Sequence, residues 1–403
     1  MGKLNARTIS WGNSKMKCWF FLILFAGLAA FLFAAEPELS GVFDSTVNYT
    51  AGDRDASDHS WGIEEYANLR LRVRAGEKAT FFAAFNLIAM AGNYLETAEY
   101  LGILTAHPPF TSTPLIHGPN YAAALELERL YFRINGDYID AEAGLLRMNF
   151  GYGQVWGSSD FLNPRNPLIV NARPRGLLGM NLSFYPTDSL KLMGFVAGPA
   201  EPLKTRGGGI IPGLSLDQHW NRLSLQALYA YETPLTASPN GIHRFGLSLK
   251  ADMELGLVAD ALYSLNPDKL DGIDGLSAGI GFDYSFFDGN LYILFEYLFN
   301  GLSSATAFGH GGNWSNRHYL YGTALYRFND YFNLSLSTIF CFDDVSFSPF
   351  VTLNYEFFQG FSLNCSARVC FDKKDFGGST AGELGPASPG ARLMVNAGVR
   401  LRF

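Results

Sequence analysis

Long apolar runs are what this sequence lacks most. Apart from residues 18–35, no stretch of the 403-residue chain approaches the roughly 20 consecutive apolar residues of a membrane-spanning helix. Charge is also sparse, at 17% of residues, and the 37 acidic residues outnumber the 30 basic ones. This balance argues against nucleic acid as a partner, because nucleic-acid-binding surfaces need basic patches. If the chain crosses a membrane, strands must do so.

Cysteine is scarce, and histidine shows no metal-binding spacing. Cys341, Cys365 and Cys370 remain once Cys18 of the leader is set aside, an odd number without the spacing of metal ligands. Strand alternation places Cys341 and Cys370 on one face of separate strands and Cys365 on the other, which leaves no pair for a disulfide. No arrangement of His and Ser typical of a nucleophilic enzyme is recognisable. We therefore expect no metal, no cofactor and no catalytic residues.

The N-terminal segment has the composition of a secretory signal. Four basic residues and no acidic one precede residue 18, and the apolar run 18–35 follows. A basic head followed by a short apolar run is the pattern of a signal peptide. We predict that residues 1–35 are a signal peptide and that residues 36–403 form a single domain. An uncleaved anchor, and a true start at Met16, stay open.

Alternation of apolar and polar residues is what the chain has in abundance. In the last stretch, residues 391–403, every odd position is apolar and most even positions are polar or glycine. Successive side chains of a strand point to opposite faces, so this stretch has one apolar face and one wet face. The same pattern recurs at residues 43–49, 69–74, 223–232, 244–252, 276–284, 332–342, 351–357 and 362–372.

Tight turns alternate with longer segments between these strands. The turns are at residues 75–77, 135–137, 186–188, 253–254, 288–290, 329–330 and 359–360, and the longer segments are at 91–121, 150–175, 199–218, 300–316 and 373–389. About 17 strands can be counted, and an even number, reached with a further strand at 207–216, returns both ends to one side. The sequence predicts an all-β, transmembrane antiparallel β-barrel of about 18 strands (alternatively 16), with long extracellular loops, short periplasmic turns and an aqueous lumen.

Two features resemble bacterial outer-membrane proteins. The terminal strand ending in Phe403 resembles the strand that their assembly machinery reads. The segment 151–167 resembles a loop of porin-like outer-membrane barrels, with matches at Gly151, Gly153, Trp156, Asp160, Leu162, Asn163 and Pro164. The resemblance implies an outer-membrane location and a channel with a folded loop near its mouth. It implies outer-membrane lipids, the assembly machinery and small solutes as partners. A rigid surface loop held by prolines is the alternative.

Charged side chains on the wet faces are candidates for the pore lining. Charges on a low-dielectric wall focus the electric field across a lumen, which is how pores select ions and polar solutes. The alternative is that they are solvated or paired wall residues without a role in selectivity. The predicted pore-lining residues are Arg70, Arg72, Arg74, Glu126, Glu128, Asp140, Glu142, Arg368, Arg392, Arg400 and Arg402.

The function that these patterns favour is passive diffusion of small hydrophilic solutes through an outer-membrane pore. Two alternatives stay open: a transporter of hydrophobic substrates with a plugged lumen, and a structural or adhesive barrel that acts through its loops. Residues 94–106 could form a short amphipathic helix that covers the mouth or dips into the lumen. The sequence also leaves a homo-oligomer open.

Overall fold

The computed structural model describes residues 36–52, 59–93, 112–118, 120–163, 176–198, 209–234, 240–266, 272–301, 314–386 and 391–403. The predicted signal peptide and the predicted helix at 94–106 lie outside these ranges. No helix in the described part of the chain is long and apolar enough to cross a membrane. The strands are β1 (Glu36–Ala51), β2 (His59–Ala75), β3 (Ala79–Gly92), β4 (Ser112–His117), β5 (Tyr121–Asn135), β6 (Ile139–Leu146), β7 (Leu177–Thr187), β8 (Leu190–Ala197), β9 (Ile211–Trp220), β10 (Leu223–Glu232), β11 (Ile242–Asp252), β12 (Gly256–Leu265), β13 (Leu276–Phe286), β14 (Leu291–Asn300), β15 (His318–Arg327), β16 (Phe332–Cys341), β17 (Ser346–Phe358), β18 (Phe361–Val369) and β19 (Leu393–Arg402).

Eighteen of these strands form a closed antiparallel barrel, and β4 is an extra strand. The barrel closes where β1 pairs with β19 on one side and with β2 on the other. The prediction of 18 strands is therefore confirmed, and the alternative of 16 is wrong. The further strand exists as β9, but the predicted bounds 207–216 and the long segment 199–218 are wrong. Pro212 and Gly213 are poor strand formers that obscure its pattern, and pairing with β8 and β10 overrides them.

The extra strand β4 fills a gap that β6 leaves. One half of β5 pairs with β6, through residues 130–135. The other half pairs with β3 on one edge and with β4 on the other. Because β6 ends at Leu146, β4 supplies hydrogen-bond partners for a part of β5 that would otherwise be an open edge.

The two faces of the wall have opposite character. On β7, the outward side chains of Leu178, Met180 and Leu182 are 60%, 56% and 53% exposed. The side chains between them, among them Asn181 and Ser183, point into the barrel and are 7% and 4% exposed. A polar interior behind an apolar exterior is the reverse of a soluble domain and is typical of barrels that face lipid.

The two rims of the barrel differ as predicted. Short turns join consecutive strands at one end, which we call the short-turn rim. Gly41 and Phe403 exchange backbone hydrogen bonds of 2.7 and 3.1 Å near this rim, so the chain starts and ends its barrel there. The long connections lie at the other end, the long-loop rim, although the β16–β17 connection, residues 342–345, is also short. The three cysteines of the barrel are free, as expected.

The closing pair of strands carries a buried ion pair on its inner face. Arg400 of β19 lies directly opposite Asp44 of β1, and its guanidinium donates two hydrogen bonds of 2.6 and 3.0 Å to the carboxylate. Glu38, nearer the short-turn rim of β1, is half-exposed and lies 3.7 Å from Arg72 and 3.4 Å from Arg74.

We expect Asp44→Asn to lower the free energy of unfolding by about 1–3 kcal/mol, because the Arg400 side chain, 18% exposed, stays largely buried without its charged acceptor. Glu38→Gln is the matched control, since an exposed pair contributes only about 0–1 kcal/mol. Urea unfolding of the refolded proteins measures both. Equal midpoints for the two variants would contradict a stabilising role of the Arg400–Asp44 pair.

Candidate functional site

After β6 the chain turns into the interior of the barrel. We call residues 147–163 the infolded segment. Its backbone N–H groups donate to side chains on the inner faces of β10, β12 and β14. The segment therefore lies inside the barrel and narrows the lumen, and it is not a loop on the outer surface.

Two buried carboxylates hold the middle of the infolded segment. Glu296 of β14 accepts three consecutive backbone N–H groups, from residues 154, 155 and 156, at 3.0, 3.1 and 2.8 Å. Asp260 of β12 accepts those of Tyr152 and Gly153 at 3.1 and 2.6 Å. Hydrogen bonds to an ionised acceptor are about twice as strong as neutral ones. They also compensate the burial of the two carboxylates, each of which is 3% exposed.

The first two glycines of the motif let the backbone approach these carboxylates. Gly151 has a φ of 86°, and a Cβ there would lie 2.4 Å from the Ser159 hydroxyl oxygen and 2.9 Å from Asp260 Oδ2. A Cβ at Gly153 would lie 2.7 Å from the same carboxylate oxygen. Any side chain would push the N–H donors away from Asp260. The close approach to Asp260 explains why both positions are glycine.

Apolar contacts fix both arms of the infolded segment to the wall. Phe150, Phe161 and Leu162 are buried in one cluster with Phe195 of β8 and Ile211 of β9. The motif residues Asp160 and Asn163 close the return: the Asn163 backbone N–H donates to Asp160, and its side chain donates to the Met148 carbonyl. Pro164 lies outside the described residues.

Trp156 connects the infolded segment to the long-loop rim. Its ring is 1% exposed and lies 5.1 Å from the Trp314 ring and 5.7 Å from the Tyr319 ring. The Trp156 indole N–H donates to the backbone carbonyl of Glu296 at 3.3 Å. Trp156, in the middle of the infolded segment, therefore contacts two aromatic rings and the backbone of β14.

A cluster of Cys341, Asp344 and Glu383 at this rim has the residue types of a metal site, with ligand atoms within 4.8 Å of one another. Its carboxylates already accept N–H and O–H donors. Glu383 accepts from the backbone N–H groups of Ser315 and Asn316 and from the Tyr319 hydroxyl, and Asp344 accepts from the Glu383 N–H at 2.6 Å. These contacts explain the cluster as a junction between three connections.

The predicted pore-lining residues all lie on the inner face or, for Arg392, directly before β19. They fall on β2, β5, β6, β18 and β19, which are neighbours around the wall on either side of the β1–β19 closure. Residues 150–162 of the infolded segment pack on the other sector, from β8 to β15, and the cluster that buries Trp156 extends to Ile339 of β16 and Phe350 of β17. The structure thus brings the predicted charges together on the sector that the infolded segment leaves uncovered.

Many of these charges are paired. Glu128 accepts from Arg147 and from the side chain of Asn68, each at 2.6 Å. Glu142 binds Arg133 and accepts from Asn181 at 3.0 Å.

The other predicted pore-lining residues have partners of several kinds. Arg392 donates to Asp375 at 2.7 Å, which holds the pKa of that carboxyl below its usual value. The Glu126 carboxylate accepts a hydrogen bond from the Asn86 side chain, and the Asp140 carboxylate accepts one from the Tyr185 hydroxyl. The Arg368 guanidinium lies 3.8 Å from Cys370 Sγ.

Two arginines differ from the rest. Arg70 donates to the Asn68 side chain but makes no ion pair with the described residues, and Arg402 likewise makes none within that part of the chain. The sequence also gave no hint of Arg129. A β-bulge opposite Ala84 and Phe85 inserts Glu128, so that Arg129 turns inward over the Phe82 ring at 4.8 Å.

Solved structures with the same architecture include two porin-type proteins of Acinetobacter baumannii, OccAB4 and OccAB3, and a BenF-like porin from Pseudomonas fluorescens Pf-5. Their TM-scores are 0.58, 0.54 and 0.55 at 12%, 10% and 9% sequence identity, over 91% of this chain and 98%, 99% and 98% of theirs. The chain has the porin fold. At these identities the likeness concerns the fold alone, and it confirms the predicted resemblance at that level. Neither the family models nor the curated protein sequences give a match.

We expect Gly151→Ala to loosen the infolded segment, because the new Cβ must displace Ser159 or Asp260. Gly289→Ala is a matched control: its φ is 88°, close to that of Gly151, but nothing lies within 4 Å of its Cβ position. Backbone strain of roughly 1–3 kcal/mol is common to both variants. Hydrogen exchange of the amides 152–156 should therefore speed up by at least about tenfold only in Gly151→Ala. Equal protection in both would refute the clash.

Proposed function

We propose that the protein is an outer-membrane channel through which small hydrophilic solutes diffuse passively, and that it is not an enzyme. The observation that carries this proposal is an 18-strand wall with an apolar exterior and a polar interior, in which the infolded segment covers only one sector. A barrel of this size is wide enough for an aqueous lumen. The porin fold of the compared structures supports the same reading.

The uncovered sector has the chemistry of a hydrated wall. Its inward side chains on β18 and β19 are mostly hydroxyl, amide and guanidinium groups, and Asn354 of β17 forms a hydrogen bond of 2.7 Å with Asn364 of β18. A channel for hydrophobic substrates would need an apolar path. The buried apolar cluster around Phe150 and Phe161 is instead filled by the infolded segment itself. This favours hydrophilic solutes.

The constriction is fixed rather than mobile. Five backbone N–H groups bound to two carboxylates, together with Trp156 packed on two aromatic rings, hold the infolded segment against the wall. Such a segment narrows the lumen permanently. The proposal is therefore a pore of constant width, open without a gating step.

We infer that the arginines on the uncovered sector, and not the net charge of −7 of the whole chain, set the electric field in the lumen. Asp260 and Glu296 direct their charge at backbone N–H groups, whereas Arg70 and Arg402 keep theirs uncompensated by an ion pair. Exposed charges on the outer loops are screened beyond about 8 Å at physiological salt. The wall charges act at shorter range and give the lumen a preference for anions.

The first measurement is conductance of the refolded protein in a planar bilayer. We expect stable open steps, and a protein that inserts without conducting would overturn the open pore.

Replacing both Arg70 and Arg402 by Gln should shift the reversal potential towards cations, most strongly at low salt, with the folded yield unchanged. Lys78→Gln, in an exposed turn beside Asp137, is the control for loss of a positive charge away from the lumen, and it should leave the reversal potential unshifted. An unshifted potential in the double variant would show that these arginines are only wall residues.

The same proposal places the long-loop rim outside the cell. Gly377→Cys and Gly289→Cys form a matched pair, since both positions have a φ near 87° and open space around the Cβ. On intact cells a membrane-impermeant maleimide should label Cys at 377, on the long-loop side, and leave the short-turn position unlabelled until the cells are lysed. The reverse pattern would invert the orientation.

A further inference from the structure

Three histidines occupy equivalent places on the outer face at the long-loop rim. His59 and His318 are the first residues of β2 and β15, and His243 is the second residue of β11. Each shares its face with exposed apolar neighbours further along its strand, such as Trp61 and Phe245. The three strands lie at separate places around the wall, so the histidines do not form a cluster.

Each histidine is held by the same arrangement on the preceding strand. A tyrosine lies directly opposite the residue that follows the histidine by two positions. Tyr229 is opposite Phe245, Tyr297 is opposite Leu320, and Tyr49 is opposite Trp61. This diagonal relation occurs three times.

In two cases the tyrosine fixes one ring nitrogen. The Tyr229 hydroxyl lies 2.9 Å from Nδ1 of His243, and the Tyr297 hydroxyl lies 2.6 Å from Nδ1 of His318. Aromatic rings also flank them, with Tyr231 at 4.8 Å from His243 and Phe299 at 5.4 Å from His318. His59 instead stacks on Tyr49 at 6.4 Å.

The role of the other ring nitrogen follows from the direction of this hydrogen bond. A neutral imidazole has one N–H, so when Nδ1 accepts from a tyrosine hydroxyl, Nε2 must carry the proton and act as a donor. The ring is half-buried at His243 and His318, with its remaining surface at the outer rim. When the tyrosine hydroxyl donates to Nδ1, the pair presents a hydrogen-bond donor at the outer edge of the wall.

The outer face offers few other groups for an anion. Among the described strand residues that point outward, none is Lys or Arg, and Glu65 is the one charged residue, hydrogen-bonded to Ser45 at 2.8 Å. A phosphate at the level of the strand ends therefore meets histidine N–H donors there and no stronger cation on the strands. Near His318, Asp343 is occupied by the backbone N–H groups of residues 317 and 318.

We propose that His59, His243 and His318, positioned by their tyrosines, bind the phosphate groups of lipids in the membrane leaflet around the long-loop rim. The proposal rests on the membrane location given under the proposed function. The occupant is a phosphate-bearing lipid because the donors lie where an apolar outer band meets the rim, which is the level of headgroups. Each site supplies one donor beside aromatic rings that suit the same interface.

The test counts phospholipids that stay with the protein. The full chain is refolded into phosphatidylglycerol vesicles, extracted with mild detergent, and assayed for phosphorus per protein and by native mass spectrometry. The triple variant His59→Phe, His243→Phe, His318→Phe keeps the ring packing and should retain at least about threefold less phospholipid. His219→Phe is the control, since His219 lies at the short-turn rim and contacts Ser224. It should retain the wild-type amount.

Further experiments test whether the retained phosphate belongs to a lipid and whether the tyrosine hydroxyls contribute. Vesicles of digalactosyldiacylglycerol, which has no phosphate, should abolish the difference between wild type and triple variant, and added inorganic phosphate should not restore it. Tyr229→Phe with Tyr297→Phe should lower retention in part, because the rings stay but the hydroxyls are lost. Equal phospholipid retention by the triple variant and wild type would overturn the proposal. So would a change of oligomeric state without loss of lipid, which would assign the histidines to an interface between copies.

Failure here and failure of the proposed function are distinguishable. If the wild type retains lipid through the histidines but does not conduct, the lipid sites stand and the open channel is wrong. If the triple variant conducts like wild type and retains equal lipid, the channel stands and the lipid sites are wrong. A protein that does not enter vesicles at all refutes both.

Discussion

The ladder between β1 and β19 is the constraint on which the rest of the structure depends. It joins residues 42–51 to residues 393–402, and it gives the first and last barrel strands a second neighbour. An open sheet of this length would expose two edges of unpaired backbone groups, which a hydrocarbon environment does not tolerate. Closure also defines an inside, and every distinction between wall, lumen and infolded segment follows from it.

Acidic and basic side chains have different roles on the inner face of this barrel. The acidic residues on β12 and β14 organise backbone, because their carboxylates point at the N–H groups of the infolded segment. Most basic residues on the opposite sector are held by single acidic partners, and Arg70 is left with an amide. The proposed preference for anions therefore depends on the few arginines without an acidic partner among the described residues, and not on the acidic composition of the chain. The composition gives only the net charge of the chain, whereas the electric field in the lumen depends on which charged side chains are already paired.

The sequence predicts the wall well because the wall is periodic. The alternation in residues 391–403 gives the inner and outer faces of β19 directly, and the requirement that both ends of the barrel lie on one side raises the count of about 17 strands to an even number. It fails where the period is broken: Pro212 and Gly213 mask β9, and the bulge at Glu128 turns Arg129 inward without a local signal. Asp260 was missed for a different reason. It is one polar residue among apolar ones, and its partners are more than 100 residues earlier in the chain.

The distance in sequence between the infolded segment and its anchors sets an order of events. Residue 156 binds a carboxylate 140 positions later, and Trp156 also packs on rings contributed by residues 314 and 319. Contacts of such long range form late, because the intervening chain must first be in place. The wall up to β15 must stand before the segment can dock against it. We therefore expect a stage of folding in which the infolded segment has not yet docked and the interior of the barrel is wider than in the native protein.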